Sequence, residues 1–234
     1  MCSAIILTGL RIINWNDYDK RGYTGKITVA TSDWFDSKHH KNNLSYSLAS
    51  NRGYDLMVRD LSYFNQNMMD SVVSMYDSIK TTLKPSPTEF AKIIVSSIQS
   101  IPYTLILQNE CKANLYPSGS FTRNYLGEGK PCVGSVRYGI YTQLEFVATL
   151  DGDCDTRSLL LYTLLKKYNY NVAMMISETL QHAIIAVELS GVDGRYFTIE
   201  GKRYYLWETT ENGIPPGVFP KEQSNPNLWK ISLI

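Results

Sequence analysis

The stretch DGDCDTRSLLLYTLLKKY, Asp151–Tyr168, places a cysteine between two aspartates immediately before a run of apolar residues. Asp153 is a good helix N-cap. Behind it, Leu159, Leu160, Tyr162, Thr163, Leu165 and Lys166 support a helix packed on a core. Cys154 then falls in the first turn, where free backbone N–H groups and the positive end of the helix dipole favour a thiolate. A cysteine that only packs is more usual inside an element, among Leu, Ile and Val. Gly152 leaves room for a substrate backbone to come close.

Beyond that helix the pattern turns to strands. NVAMMIS (Asn171–Ser177), HAIIAVEL (His182–Leu189), RYFTIEG (Arg195–Gly201) and KRYYLWET (Lys202–Thr209) are short and rich in β-formers, with polar or glycine-containing turns between them. WKISLI (Trp229–Ile234) offers one more strand. HAIIAVEL and YYLWETT are expected to pair antiparallel, with RYFTIEG as a neighbour or hairpin arm.

On the N-terminal side, MCSAIILTGLRII reads as a strand: no basic residue precedes its apolar stretch and no cleavage site follows, which argues against a signal peptide. GKITVATS (Gly25–Ser32) alternates like a strand, and SKHHKNN (Ser37–Asn43) reads as a polar loop with His39 and His40 facing solvent. Met68, Met69, Val72, Val73, Tyr76, Ile79 and Leu83 recur at helical spacing over Asn65–Lys84. Ser86, Pro87 and Glu89 then form a capping-box start for a helix through FAKIIVSSIQSI, which ends before Pro102. Cys111–Tyr141, with five glycines and no period, reads as a long loop: a lid or substrate wall, or a plain surface excursion. Helices, one buried helix and then an antiparallel sheet make an α+β domain. We divide it into an N-terminal α/β extension, 1–85, packed on a main domain, 86–234.

Lys+Arg 23 against Asp+Glu 22 leaves a net charge of +1, so no footprint for nucleic acid appears. No apolar run reaches the length of a membrane span. The 17 tyrosines, with many Asn and Ser, give a polar uncharged surface that hints at export, to an extracytoplasmic location if the chain belongs to a longer exported protein. The four cysteines, Cys2, Cys111, Cys132 and Cys154, lack zinc-site spacing. Cys111 and Cys132 flank the glycine-rich loop and could form a disulfide in an oxidising compartment, free thiols being the equal alternative.

A cysteine nucleophile needs a base, and histidine is the usual one. His182 opens the strand HAIIAVEL, where a base for a cysteine at a neighbouring helix start could stand. The imidazole needs an orienting group. Glu208 lies at the end of the later strand, while Asp193 and Glu200 lack such a context. Each signal is modest; their order, Cys then His then acid, is what gives them weight.

GDCDTRSLLLYTLLKKYNYNVAMM (Gly152–Met175), QHAIIAVEL (Gln181–Leu189) and YYLWETT (Tyr204–Thr210) together resemble the transglutaminase-like superfamily of the papain-like fold, most of all its bacterial members. IQSIPYT (Ile98–Thr104) is similar to the segment that precedes the nucleophile there, and the resemblance spans Phe90 to Pro220. It implies a papain-like core and a triad of Cys154 as nucleophile, His182 as base and Glu208 as orienting acid. It also implies no cofactor, save a weak suggestion of calcium at Asp151, Asp153 and Asp155. Two departures stand out. Glu208 in WETT replaces the Asp of an L-D-P-T context, and Ile184 replaces a tryptophan two residues after the histidine, which argues against protein crosslinking.

An oxyanion hole would take the Cys154 N–H and one side-chain donor, with Gln143, Gln99 and Tyr103 as candidates. The expected function is thiol-dependent hydrolysis or acyl transfer at amide bonds of a peptide or protein, cysteine peptidase activity first. The alternatives are a non-catalytic peptide- or partner-binding module and a cell-wall amidase.

Overall fold

The computed structural model describes residues 7–48 and 51–234, so Cys2 and the first six residues of the expected MCSAIILTGLRII strand lie outside it. A hairpin opens the chain: β1 (Leu7–Asn16) pairs antiparallel with β2 (Gly22–Ala30). Four helices follow, α1 (Thr31–Asn43), α2 (Asn51–Asn65), α3 (Asp70–Leu83) and α4 (Pro87–Gln99). The short β3 (Leu105–Ile106) bridges in parallel to β4 (Cys132–Val133), with α5 (Phe121–Gly127) between them. Then come α6 (Gln143–Thr149) and α7 (Cys154–Lys167).

The rest of the chain is strands: β5 (Val172–Ser177), β6 (His182–Glu188), β7 (Tyr196–Ile199), β8 (Lys202–Trp207) and β9 (Lys230–Leu233). They form one antiparallel sheet in the order β7-β8-β6-β5-β9. The architecture is a mixed helix-and-sheet fold, with β7 as the hairpin arm of β8 and β8 beside β6.

The sheet is buried on both faces, which is why HAIIAVEL reads as an unbroken apolar run. Ala183, Ile185 and Val187 face α7 and the main core, whereas Ile184 and Ala186 face a smaller cluster with Phe197, Leu206 and Trp229. α7 lies against β5 and β6 and is surrounded by α2, α4 and α6. The main core also includes Ile13, Trp15, Met57, Leu61, Val72 and Tyr76, so the first 85 residues build the same core as Leu160 and Val187.

Several local expectations change. Ser37–Asn43 is the second half of α1, not a loop. Its inward residues Ser37 and Lys41 are polar: Ser37 donates to Thr142 Oγ1 (2.6 Å) and Lys41 Nζ pairs with Glu145 (2.6 Å). His40 is not free in solvent either, since its Nε2 meets Asp60 at 2.6 Å and its ring stacks on Phe64. The helix expected over Asn65–Lys84 starts at Asp70, because Gln66–Met69 turns the chain out of α2. The Ser86–Glu89 capping box of α4 is present as read. Within Cys111–Tyr141 lie α5, β4 and a Cys111–Cys132 disulfide that closes the loop at its base.

Candidate active site

Asp153 caps α7 by accepting the Thr156 N–H (3.2 Å), and its other oxygen accepts the Ile106 N–H (3.3 Å). Cys154 is therefore the first helical residue. It is partly exposed, and it is the free cysteine among the described residues. Gly152 answers to packing, not to substrate access: a Cβ there would run into the Phe146 ring.

Arg157, one turn on, is fully buried on the same helix. Its guanidinium donates to four carbonyl oxygens, those of Gly152 (2.9 Å), Ile98 (3.1 Å), Ile101 (2.8 Å) and Pro102 (2.7 Å). That strap ties the IQSIPYT segment to the start of α7 and sets Tyr103 beside the cysteine. Sequence reasoning passed over it, although a lone Arg at i+3 from Cys154 in an apolar helix was a visible oddity.

His182 is the first residue of β6 and pairs with Ser177 at the close of the β5–β6 turn. β8 runs antiparallel to β6 with Ile185 opposite Trp207, so the residues after Trp207 return to the start of β6. Glu208 lands there. Its Oε2 lies 2.8 Å from His182 Nε2. Its Oε1 accepts three further hydrogen bonds, from the Thr209 N–H (2.8 Å), the Thr210 N–H (2.8 Å) and the Thr210 hydroxyl (2.6 Å). Burial alone would raise the Glu208 carboxyl, but the hydrogen bond and charge of His182, with the Thr210 donors, hold it down to about 2. An ionised Glu208 can only accept, so Nε2 carries the proton of this hydrogen bond and Nδ1 is left outside it.

The electrostatics at sulfur oppose the expectation from the helix start. Burial pushes the Cys154 thiol up, and the Asp155 and Asp153 carboxylates add to it, against the Ala183 N–H directed at the sulfur. The thiol's hydrogen bond runs to Asp155 Oδ1, at 3.9 Å. Asp155 is itself raised by burial, and the enclosed hydroxyl of Tyr54, from α2, faces it without a well-aligned hydrogen bond. Burial first, and then two neighbouring carboxylates, work against a thiolate at this helix start.

Cys154 and His182 line two cavities in common. One, of about 630 Å³, opens past Tyr103, and the other, of about 450 Å³, opens past Tyr54 and Asp155. Gln181, whose φ of 48° marks the tight turn, stands between them. Trp229 meets the His182 ring edge-on, at 6.2 Å.

The expected oxyanion donors divide. Gln143 does not reach the cleft: it is buried, and its Nε2 donates to Thr163 (2.8 Å), well along α7. Gln99 is spent as a brace, donating to the carbonyls of Glu208 (2.7 Å) and Ile214 (2.9 Å) while accepting from Tyr18 (2.8 Å). Tyr103 does line the cavity beside Cys154. The three aspartates do not converge on one point. Asp151 accepts from Thr104 (3.0 Å), Asp153 caps α7, Asp155 faces the thiol, and no metal-holding cluster occurs among the described residues. Nor, among them, is any helix long and apolar enough to cross a membrane.

Comparison with protein-family models, with curated proteins and with solved structures finds no match for this chain.

Proposed function

We propose that the protein is a thiol-dependent hydrolase or acyltransferase acting on amide bonds of peptides or proteins, with a Cys154-His182-Glu208 triad on a transglutaminase-like variant of the papain-like fold. The observation that carries this reading is the 2.8 Å His182–Glu208 pair, set at the wall of a cavity that also holds the Cys154 thiol. Four hydrogen bonds fix the Glu208 carboxylate, and a fixed carboxylate fixes the imidazole tautomer.

With burial and the Asp155 and Asp153 carboxylates set against a thiolate at Cys154, His182 acts as a general base instead of half of a standing ion pair. As Sγ bonds to the carbonyl carbon, the thiol proton passes to Nδ1 and the carbonyl electrons move to oxygen. The Cys154 N–H at the helix start, with the Tyr103 hydroxyl as second donor, faces that oxyanion. The imidazolium then protonates the leaving amine, and the C–N bond breaks to leave a thioester. Water, or a second amine, gives a proton to Nδ1 as it adds to the thioester carbonyl; the C–S bond then breaks, the acid or new amide leaves, and the imidazolium returns the proton to sulfur. The Cys111–Cys132 disulfide suits an oxidising compartment.

A second reading, a peptide-binding module without catalysis, draws on the two carboxylates that oppose a thiolate at Cys154. Turnover separates the two. Incubated with a panel of blocked peptide amides, the wild type should release amine and Cys154→Ala should not. Absence of turnover alongside peptide binding would replace the enzyme reading with the binding one.

A further inference from the structure

The two cavities that meet at Cys154 differ in chemistry. The smaller carries Asp155 and Glu178 with the Tyr54 hydroxyl. The larger, of about 630 Å³, is walled by Tyr103, Phe121, Tyr125, Pro131 and Leu180. Its one charged wall residue besides the triad is Lys130, which is spent on Glu128 (2.6 Å) and lies over the Tyr125 ring.

The rings of this wall are already in mutual contact. Tyr103 and Tyr125 meet edge-on at 5.7 Å, and Phe121 and Tyr125 meet at 5.6 Å. Phe121 nevertheless leaves 51% of its surface exposed, an aromatic face with room for one more ring. The wall is also held in place. The Tyr125 hydroxyl donates to the Tyr103 carbonyl (3.3 Å), the Leu105 N–H donates to the Pro131 carbonyl (3.1 Å), and Cys132 next to Pro131 is bridged to Cys111. A preformed apolar recess with no unpaired charge, continuous with the thiol and the imidazole, favours bulky uncharged groups and rejects charged ones.

We propose that this side of the cleft is a subsite for a large apolar side chain of the peptide substrate, aromatic above all, next to the bond presented to Cys154. The proposal deepens the reading of the cleft as a peptide site and rests on it.

Binding to Cys154→Ala, measured by fluorescence polarisation, tests the subsite apart from catalysis. The probes are labelled hexa-alanine amides in which a single Phe or a single Glu is walked along the chain. At one position Phe should bind about tenfold or more tighter than Ala, with no gain for Glu. The added substitutions Phe121→Ser and Leu180→Ser should each cut that gain below about threefold. Phe121 is half exposed, so its replacement leaves the core intact. A flat Phe scan, or a gain that survives both substitutions, overturns the subsite. Turnover of the same peptides by the wild type is read separately. A Phe gain without turnover keeps the subsite and removes the hydrolase; turnover without a Phe gain does the reverse.

Discussion

The sulfur of Cys154 lies 3.9 Å from the Asp155 carboxylate, so a thiolate there would meet like charge at close range. Its alkylation by iodoacetamide, mapped by peptide mass, should still be gaining rate with pH above the ordinary thiol range. Asp155→Asn removes the nearer charge. It should move the midpoint of the rate–pH curve down and quicken labelling at neutral pH several-fold; an unmoved midpoint would show that Asp155 does not set the thiol. Glu208 gives a prediction of opposite sign. Its folded value of about 2 lies below the ordinary 4.5, so its contribution is complete above 4.5 and is lost as pH falls towards 2. The difference corresponds to about 3 kcal/mol. Urea unfolding of wild type and Glu208→Gln should show a gap of that order at pH 7 that closes on acidification. A gap constant with pH would mean that Glu208 matters only for packing.

Elements tell which parts of the chain were legible and why. The start of α7, the Ser86 capping box and the strands from β5 onward follow local rules, of capping and of β-rich runs, that hold without knowledge of neighbours. α1 hides because its buried side is Ser37 and Lys41, whose partners Thr142 and Glu145 lie a hundred residues away; without an apolar stripe there is no period to read. α6 is buried nearly all round, yet its Thr142–Glu145 capping box was a readable signal just beyond the Cys111–Tyr141 loop, in a stretch given no element. The nearness of Glu208 to His182 was legible because two antiparallel strands bring a late strand end to an early strand start. Gln143 and Gln99 turn to Thr163 and to the carbonyls of Glu208 and Ile214, because amide direction depends on tertiary partners. Arg157 joins two elements, and it carries a prediction. Arg157→Met takes the guanidinium's hydrogen bonds from the carbonyls of Gly152, Ile98, Ile101 and Pro102, of which Ile98 and Gly152 keep backbone N–H partners, and should cost about 3 kcal/mol in chemical denaturation. A loss under about 1 kcal/mol would show that the strap does not hold the segment.

At the scale of the molecule one core serves both halves, since Trp15, Met57, Leu61 and Tyr76 pack in the same cluster as Ile94, Leu160 and Val187. A fragment of residues 86–234 would expose that surface. It should lack cooperative unfolding by circular dichroism, and a sharp transition in the fragment would show that residues 86–234 fold without the extension. The same core fixes α7 against β5 and β6, and so brings Cys154 and His182 to one cavity wall while β8 delivers Glu208. Whether that convergence is a working nucleophile is tested most directly by acylation. Wild type and His182→Ala, each shown to be folded, are mixed with p-nitrophenyl acetate, and the rate of thioester formation on Cys154 is followed by intact and peptide mass. The account predicts rapid acylation of Cys154 in the wild type and a loss of about a hundredfold or more in His182→Ala. Equal acylation rates in the two folded proteins would contradict it.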